Sequence, residues 1–215
     1  MRTSRPLSRT IVLAATVTTL ATACHSTTTS GSGPSSSPSG GSGGSQSAGT
    51  SGSASPTGPA AGGLATCTTA SLRMTLDSSQ ADGAAGSTYY PIDFTNTSAD
   101  ACAMAGYPGV SFVTAATEAG RQLGAAAQRN PQFGSVAVRL DHDGHAHAWL
   151  QVAQAGNYPA SACSPVTAHG LRIFPPDQTQ AGYIQQDFPA CALTSAQVLT
   201  IMPLRSGEGT RGTAP

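Results

Sequence analysis

His145-Ala146-His147-Ala148-Trp149-Leu150-Gln151-Val152 alternates two kinds of residue over eight positions. A period of two marks a β-strand with one face turned to a core. Ala146, Ala148, Leu150 and Val152 form the core row, and His145, His147, Trp149 and Gln151 form the other. The same alternation recurs in Leu72, Met74 and Leu76 against Arg73, Thr75 and Asp77, and in Tyr90, Ile92 and Phe94 within Tyr89-Tyr90-Pro91-Ile92-Asp93-Phe94-Thr95. Pro91 has no N–H for a ladder, so that run is expected at an edge or a bulge. Val110-Ser111-Phe112-Val113, Val136-Ala137-Val138-Arg139-Leu140, Leu171-Arg172-Ile173-Phe174 and Val198-Leu199-Thr200-Ile201-Met202 are further short β-rich runs. Turn-formers separate them: Asp82-Gly83, Tyr107-Pro108-Gly109, Asp143-Gly144 and Pro175-Pro176. About seven short strands so punctuated predict an all-β, antiparallel β-sandwich over residues 64–205. Ala- and Gly-rich Glu118 to Gln128 is expected to carry a helical turn, and the Gly/Thr-rich residues 206–215 a flexible tail.

The chain ahead of this domain has a different character. Arg2, Arg5 and Arg9 precede an apolar stretch from Ile11 to about Ala21, and small residues lead to Cys24. This is the pattern of a secretory signal over residues 1–23, its apolar core too short to span a bilayer. Ala21-Thr22-Ala23-Cys24 resembles a bacterial lipobox, with Ala21 where Leu is usual, which makes Cys24 the expected lipidation site. More than one acyl chain there would anchor the protein firmly. Residues 24–63 follow as a linker, in which only His25 and Gln46 after the cysteine are not Ser, Thr, Gly, Pro or Ala. Such a tract buries too little to offset its ordering entropy and is expected to be a disordered tether.

Composition removes several classes of function. The 215 residues carry 10 basic and 10 acidic side chains, and every basic one is Arg. Without Lys there is no Schiff-base or Lys-nucleophile chemistry. Removing residues 1–23 leaves 7 Arg against 10 acids, a charge of −3, which offers nothing to nucleic-acid phosphates. The folded part has no Gly-x-Ser-x-Gly elbow and no phosphate loop. No enzymatic activity and no cofactor is expected.

Cys67, Cys102, Cys163 and Cys191 lie in the domain, and an even count in an exported domain implies disulfides. Three pairings are open. The sequential one closes loops of about 35 and 28 residues, each contributing about 3.5–4 kcal/mol on the chain-entropy estimate. No Cys-x-x-Cys metal or redox spacing is present. Asn96-Thr97-Ser98 is formally a glycosylation sequon, read here as a turn that ends a strand, and Tyr107 is expected to cover the core edge and bond through its hydroxyl.

Tyr89–Thr97, Cys102-Ala103-Met104-Ala105-Gly106-Tyr107-Pro108-Gly109-Val110-Ser111-Phe112, Asn157-Tyr158, Cys163, Gly170–Pro176 and Cys191, in that order, resemble the actinobacterial domain-of-unknown-function family 4232. Its members are secreted proteins and lipoproteins. The resemblance implies an immunoglobulin-like sandwich outside the cytoplasmic membrane and carries no established activity with it. One segment departs from the family pattern: Asp141-His142-Asp143-Gly144-His145-Ala146-His147. Imidazole and carboxylate suit Cu(II) or Zn(II), so His142, His145 and His147 stand as an alternative, metal-handling site. The competing reading is a hairpin turn at Asp143-Gly144 with its histidines in solvent. The leading expectation is a membrane-anchored, extracytoplasmic lipoprotein, a binding or adhesion module for an envelope protein or a cell-wall polymer.

Overall fold

In a computed structural model of the protein, residues 63–215 are described. The signal expected over residues 1–23, Cys24 and the linker expected up to residue 63 lie outside them, save Gly63. The strands, in chain order, are β1 (Leu72–Leu76), β2 (Asp82–Ala84), β3 (Ser87–Asn96), β4 (Cys102–Ala105), β5 (Gly109–Val113), β6 (Gln122–Leu123), β7 (Gln128–Arg129), β8 (Ala137–Leu140) and β9 (His145–Ala153). After the short helix α1 (Ala160–Cys163) come β10 (Pro165–Ala168), β11 (Gly170–Phe174), β12 (Gly182–Ile184), β13 (Phe188–Cys191), β14 (Leu199–Ile201) and β15 (Arg205–Ser206).

The longest pairing joins β3 and β9, antiparallel, from Ser87 against Ala153 to Thr95 against His145. Around it grows a seven-stranded sheet in the order β1-β3-β9-β14-β7, with β2 also on β3 and β15 also on β9. A four-stranded sheet runs β12-β11-β5-β6, and two-stranded pairs β4-β8 and β10-β13 complete the β structure. Every named pair is antiparallel except β7 on β14, which is parallel. Among the described residues no helix is long and apolar enough to cross a membrane.

The alternation reads out as expected in the core. Ile92 and Phe94 of β3, Ala146, Ala148 and Leu150 of β9, Phe112 of β5 and Leu171 and Ile173 of β11 are fully buried in one apolar cluster. Phe188 ties the layers together: its ring stands edge-on to Tyr90 at 5.4 Å and tilted against Phe112 at 5.3 Å. Edge-on contacts of this kind add to the burial term through the ring quadrupoles. At the far end of β3 the buried Asn96 amide donates to the carbonyls of Asp100, Leu140 and Asp141, while its Oδ1 accepts from the Ser98 N–H and hydroxyl. It is a strand-ending turn residue, as read. Tyr107 donates its hydroxyl to the Asn130 and Phe133 carbonyls, also as read.

Four local expectations change. Pro91 does not make β3 an edge strand: β1 covers Ile92 to Asn96, β2 covers Ser87 to Tyr89, and Pro91 lies in the gap between them. The partner strand changes where the N–H is missing. Residues 118–128 hold a single tight turn, closed by the Gly120 N–H on the Thr117 carbonyl, followed by β6 and the start of β7, and no helix. A Cβ on Gly120 would come within 2.0 Å of the Ala115 carbonyl oxygen, a contact of this turn that no other residue tolerates. Asp143-Gly144 turns the chain from β8 in one sheet to β9 in another, so it is a corner and not a hairpin. Residues 206–215 are docked, as described below.

The disulfides are sequential, Cys67–Cys102 and Cys163–Cys191. The second lies where α1 leads into the β10-β13 ribbon, with Cys191 itself paired against Pro165. Replacing both Cys163 and Cys191 by Ala reopens a loop spanning 28 residues and is expected to lower unfolding free energy by about 3.5 kcal/mol, measured by urea denaturation at constant slope.

Candidate functional site

The outward row of β9 is where the sequence placed the chemistry, and register assigns its neighbours. His147 stands between Asp93 of β3 and Arg205 of β15. His145 stands beside Thr95, and Trp149 beside Pro91. Residues directly opposite in an antiparallel pair share a face, so Thr75, Asp93, His147 and Arg205 form one polar row across four strands.

That face does not meet solvent along its length, because the C-terminal segment crosses it. After β15, the Gly207 N–H donates to the His145 carbonyl, Gly209 N–H to Asp93 Oδ1 at 2.8 Å, Arg211 N–H to Gln80 Oε1 and Gly212 N–H to Asp82 Oδ2 at 2.7 Å. The strap is held by its backbone amides, two of them on carboxylates, which makes these charge-assisted bonds. Its glycines are needed: Gly207 and Gly212 take positive φ, and a Cβ on Gly209 would sit 2.4 Å from Pro91 Cβ and 3.3 Å from His147 Cδ2. His147 is consequently 9% exposed, against the expectation of solvated histidines. Its Nδ1 lies 2.9 Å from the Gly207 carbonyl, an acceptor only, so Nδ1 carries the hydrogen.

The three candidate ligands are not gathered. His142 Nδ1 bonds to the Ser98 carbonyl, and its Nε2 lies 3.3 Å from Asp143. His145 Nδ1 is shared between Thr95 Oγ1 at 3.2 Å and Glu208 at 3.5 Å. Among the described residues no group of three or more His, Cys, Asp or Glu is placed to hold a metal ion. The tertiary structure instead collects Asp93 and Glu208, which sequence reading left aside, into a polar hollow of about 280 Å³ with Thr75, Asp77 and Thr95. Burial pushes the Asp93 carboxyl above the ordinary aspartate range, outweighing the Gly209 N–H bond and the charge of His147.

A second concavity was not legible from any motif. On the four-stranded sheet, Arg172 of β11 is registered against Tyr183 of β12. With Phe174, Glu118, Thr69 and Gln180 they line a groove of about 540 Å³. Thr69 Oγ1 donates to the Gln180 carbonyl at 2.8 Å and so fixes the segment before β12 to the turn before β1. Gly182 lets that edge close, since a Cβ there would meet Met74 Cε at 2.1 Å. The Arg172 guanidinium lies 5.8 Å from the Phe174 ring centre and donates from Nη2 to Gln122 Oε1 at 2.8 Å. Its Nε is buried with no partner among the described residues.

Compared with known proteins, the chain matches one family model, DUF4232, a domain of unknown function, over residues 67–204. That is well over half of its length, and the chain belongs to this family. No curated protein and no solved structure matches it. The match ends at Leu204, so β15 and the strap lie beyond it.

Two outcomes follow from the strap. The folded state holds a proton on Asp93 more tightly than the unfolded chain does, so stability falls as pH rises from the ordinary aspartate range through the raised value. Asp93→Asn keeps an acceptor for Gly209 and removes that loss. The difference between its urea unfolding free energy and that of the unaltered chain should grow from about pH 4 upward and then level off. Gly209→Ala should expel the strap, read as faster trypsin cleavage after Arg211 with the rest of the domain resistant.

Proposed function

For this member of a family described without an activity, we propose an extracytoplasmic lipoprotein that is anchored through Cys24 and binds a cell-wall polymer without chemical turnover. The Arg172–Tyr183 groove is the observation that carries this reading. Binding sites are concave, with apolar and aromatic walls and a few placed polar groups. Here Phe174 and Tyr183 offer ring faces on which sugar rings can lie, while Glu118, Thr69 and Gln180 supply groups for hydroxyls. Arg172 adds a planar cation for a carboxylate, a pairing strengthened by charge-assisted bonds. Hydroxyls together with carboxylates describe a wall glycan bearing acidic substituents. The groove has volume for more than one sugar-sized unit.

The tether accounts for the reach. The 39 residues after Cys24 are Gly/Ser-rich, and a chain of that composition and length spans about 35 Å root-mean-square as a coil, reach enough for a folded domain to stand off a membrane. Two signals, lipid and glycan, then hold the same chain between two surfaces, and each raises the effective concentration for the other.

Two experiments test this. In cells fed labelled palmitate, the full chain should take up label and the Cys24→Ser chain should not; equal labelling would overturn the anchor. The full-length Cys24→Ser chain should co-sediment with purified cell-wall polymer, and Arg172→Ala or Tyr183→Ala should weaken that at least about tenfold, the loss of one such contact. Undiminished binding by both variants, or no binding by the parent, would remove the groove from the account.

A further inference from the structure

The inward rows of β3 and β9 run on past the closed part of the core. Thr88, registered against Val152, and Tyr90, against Leu150, continue the row of Ile92 and Phe94. Across from them stand residues 154–156, which leave β9, and Phe188 and Pro189 of β13. Between these lies a pocket of about 400 Å³, where the seven-stranded sheet meets the β10-β13 ribbon. Its apolar floor belongs to the core itself: Val152, Ala155 and Phe188 are buried members of the central cluster. The smaller Trp149 pocket under the strap, about 100 Å³ between Phe133, Met202 and Arg205, offers less, because its unpartnered Trp149 Nε1 is sealed from any ligand.

Tyr90 sets the larger pocket apart. Among the described residues three tyrosines pack against the core cluster. Tyr107 and Tyr158 give their hydroxyls to protein carbonyls. The Tyr90 hydroxyl has no protein partner among the described residues, and it is not sealed as the Trp149 and Arg172 nitrogens are. Its ring stands at 87° to that of Phe188, so a flat ring laid in this corner meets one quadrupole face-on or edge-on, as aromatic pairs prefer. Among the described residues no charged side chain lines the pocket; its polar side chains are those of Thr88, Tyr90 and Gln154. A charged ligand would lose hydration there and find no counter-charge, which is costly. A cavity of about 150 Å³ accepts benzene, so this one has room for two or three rings. We propose that the pocket binds an uncharged aromatic molecule of two or three rings, seated against Tyr90 and Phe188, with a polar group on the Tyr90 hydroxyl. The pocket shares no residue with the Arg172–Tyr183 groove, so this assignment is independent of wall binding.

The probe is N-phenylnaphthylamine, an uncharged molecule of linked aromatic rings with one N–H that fluoresces in apolar surroundings. Titrating dilute probe with the full-length Cys24→Ser chain, free of detergent, should give saturable binding with Kd on the order of 10 µM. Anilinonaphthalene sulfonate, the same ring system bearing a charge, should bind at least about tenfold more weakly. Tyr90→Phe should weaken the uncharged probe about fivefold, the loss of one hydrogen bond. Thr88→Trp fills the pocket from β3 and should weaken it at least about tenfold, whereas Tyr183→Ala in the groove should leave it unchanged. Fluorescence that does not saturate by about fifty times that Kd overturns the proposal. So does equal affinity for the sulfonate, or parental affinity in Tyr90→Phe. Parental affinity in a Thr88→Trp chain that keeps the parent's urea midpoint overturns it as well. If Thr88→Trp lowers that midpoint, the parent chain decides: the probe should shift the amide resonances of Ala155 and Gly156, and shifts confined to other residues overturn the assignment.

Discussion

The pairing of β3 with β9 is the constraint from which the rest of the structure follows. Nine consecutive registered positions bring two alternating rows together, and a slip of one residue would exchange core for surface along both strands. Correct register sends Ile92, Phe94, Ala146, Ala148 and Leu150 inward, where they meet Phe112, Leu171 and Phe188 from the other strands. Every other sheet neighbour is then added to a surface whose apolar side is already chosen. The alanines of β9 matter in this respect: Ala146 and Ala148 are fully buried without bulk, which leaves room for the large rings opposite.

The same register creates a problem on the outer side. It lines up Asp93, His147 and Arg205, and it places Pro91 and Trp149 side by side, giving a face too polar to enter a core and too aromatic to leave in water. The C-terminal strap resolves this with little apolar material. It supplies amide hydrogens to Asp93, Gln80 and Asp82, and its glycines allow the backbone to come within contact distance of Pro91 and His147. The cost is electrostatic. A carboxylate drawn under the strap loses hydration, and the Asp93 carboxyl is pushed upward for that reason.

The strands with clear alternation, β1, β3, β9 and β11, were legible because their two faces differ. β10 and β13 were not: Pro165 opens the first and Pro189 interrupts the second, and they are held as a ribbon beside the Cys163–Cys191 bond, whose pairing the sequence left open. The strap was misread because Ser206-Gly207-Glu208-Gly209-Thr210-Arg211-Gly212 has the composition of a flexible segment. What docks it is backbone amides meeting distant carboxylates, and no local pattern encodes where those carboxylates will stand. The spaced glycines were the available signal, since a merely flexible tail has no need of them at close approaches. The histidines stood out in the sequence, but their surroundings depend on Asp93, Arg205 and Glu208, between 54 and 63 residues away in the contacts that matter. The groove was equally hidden, because Thr69, Glu118, Arg172 and Tyr183 share no motif and meet only through the β11–β12 register and the Thr69 bond to Gln180.

The groove and the Trp149 pocket depend on different parts of the chain, and this bears on what each keeps when the strap moves. The groove is built from residues between Thr69 and Tyr183, all within the family match, on the four-stranded sheet. The Trp149 pocket borrows Arg205, Thr213 and Pro215 from beyond that match. Undocking the strap would therefore dismantle the pocket and expose His147 while leaving the groove walls in place. Because the strap closes on Asp93, whose carboxyl holds its proton more tightly in the folded chain, strap and proton are thermodynamically linked on this face. The groove shares none of those groups, so its walls stand whether the strap is docked or not.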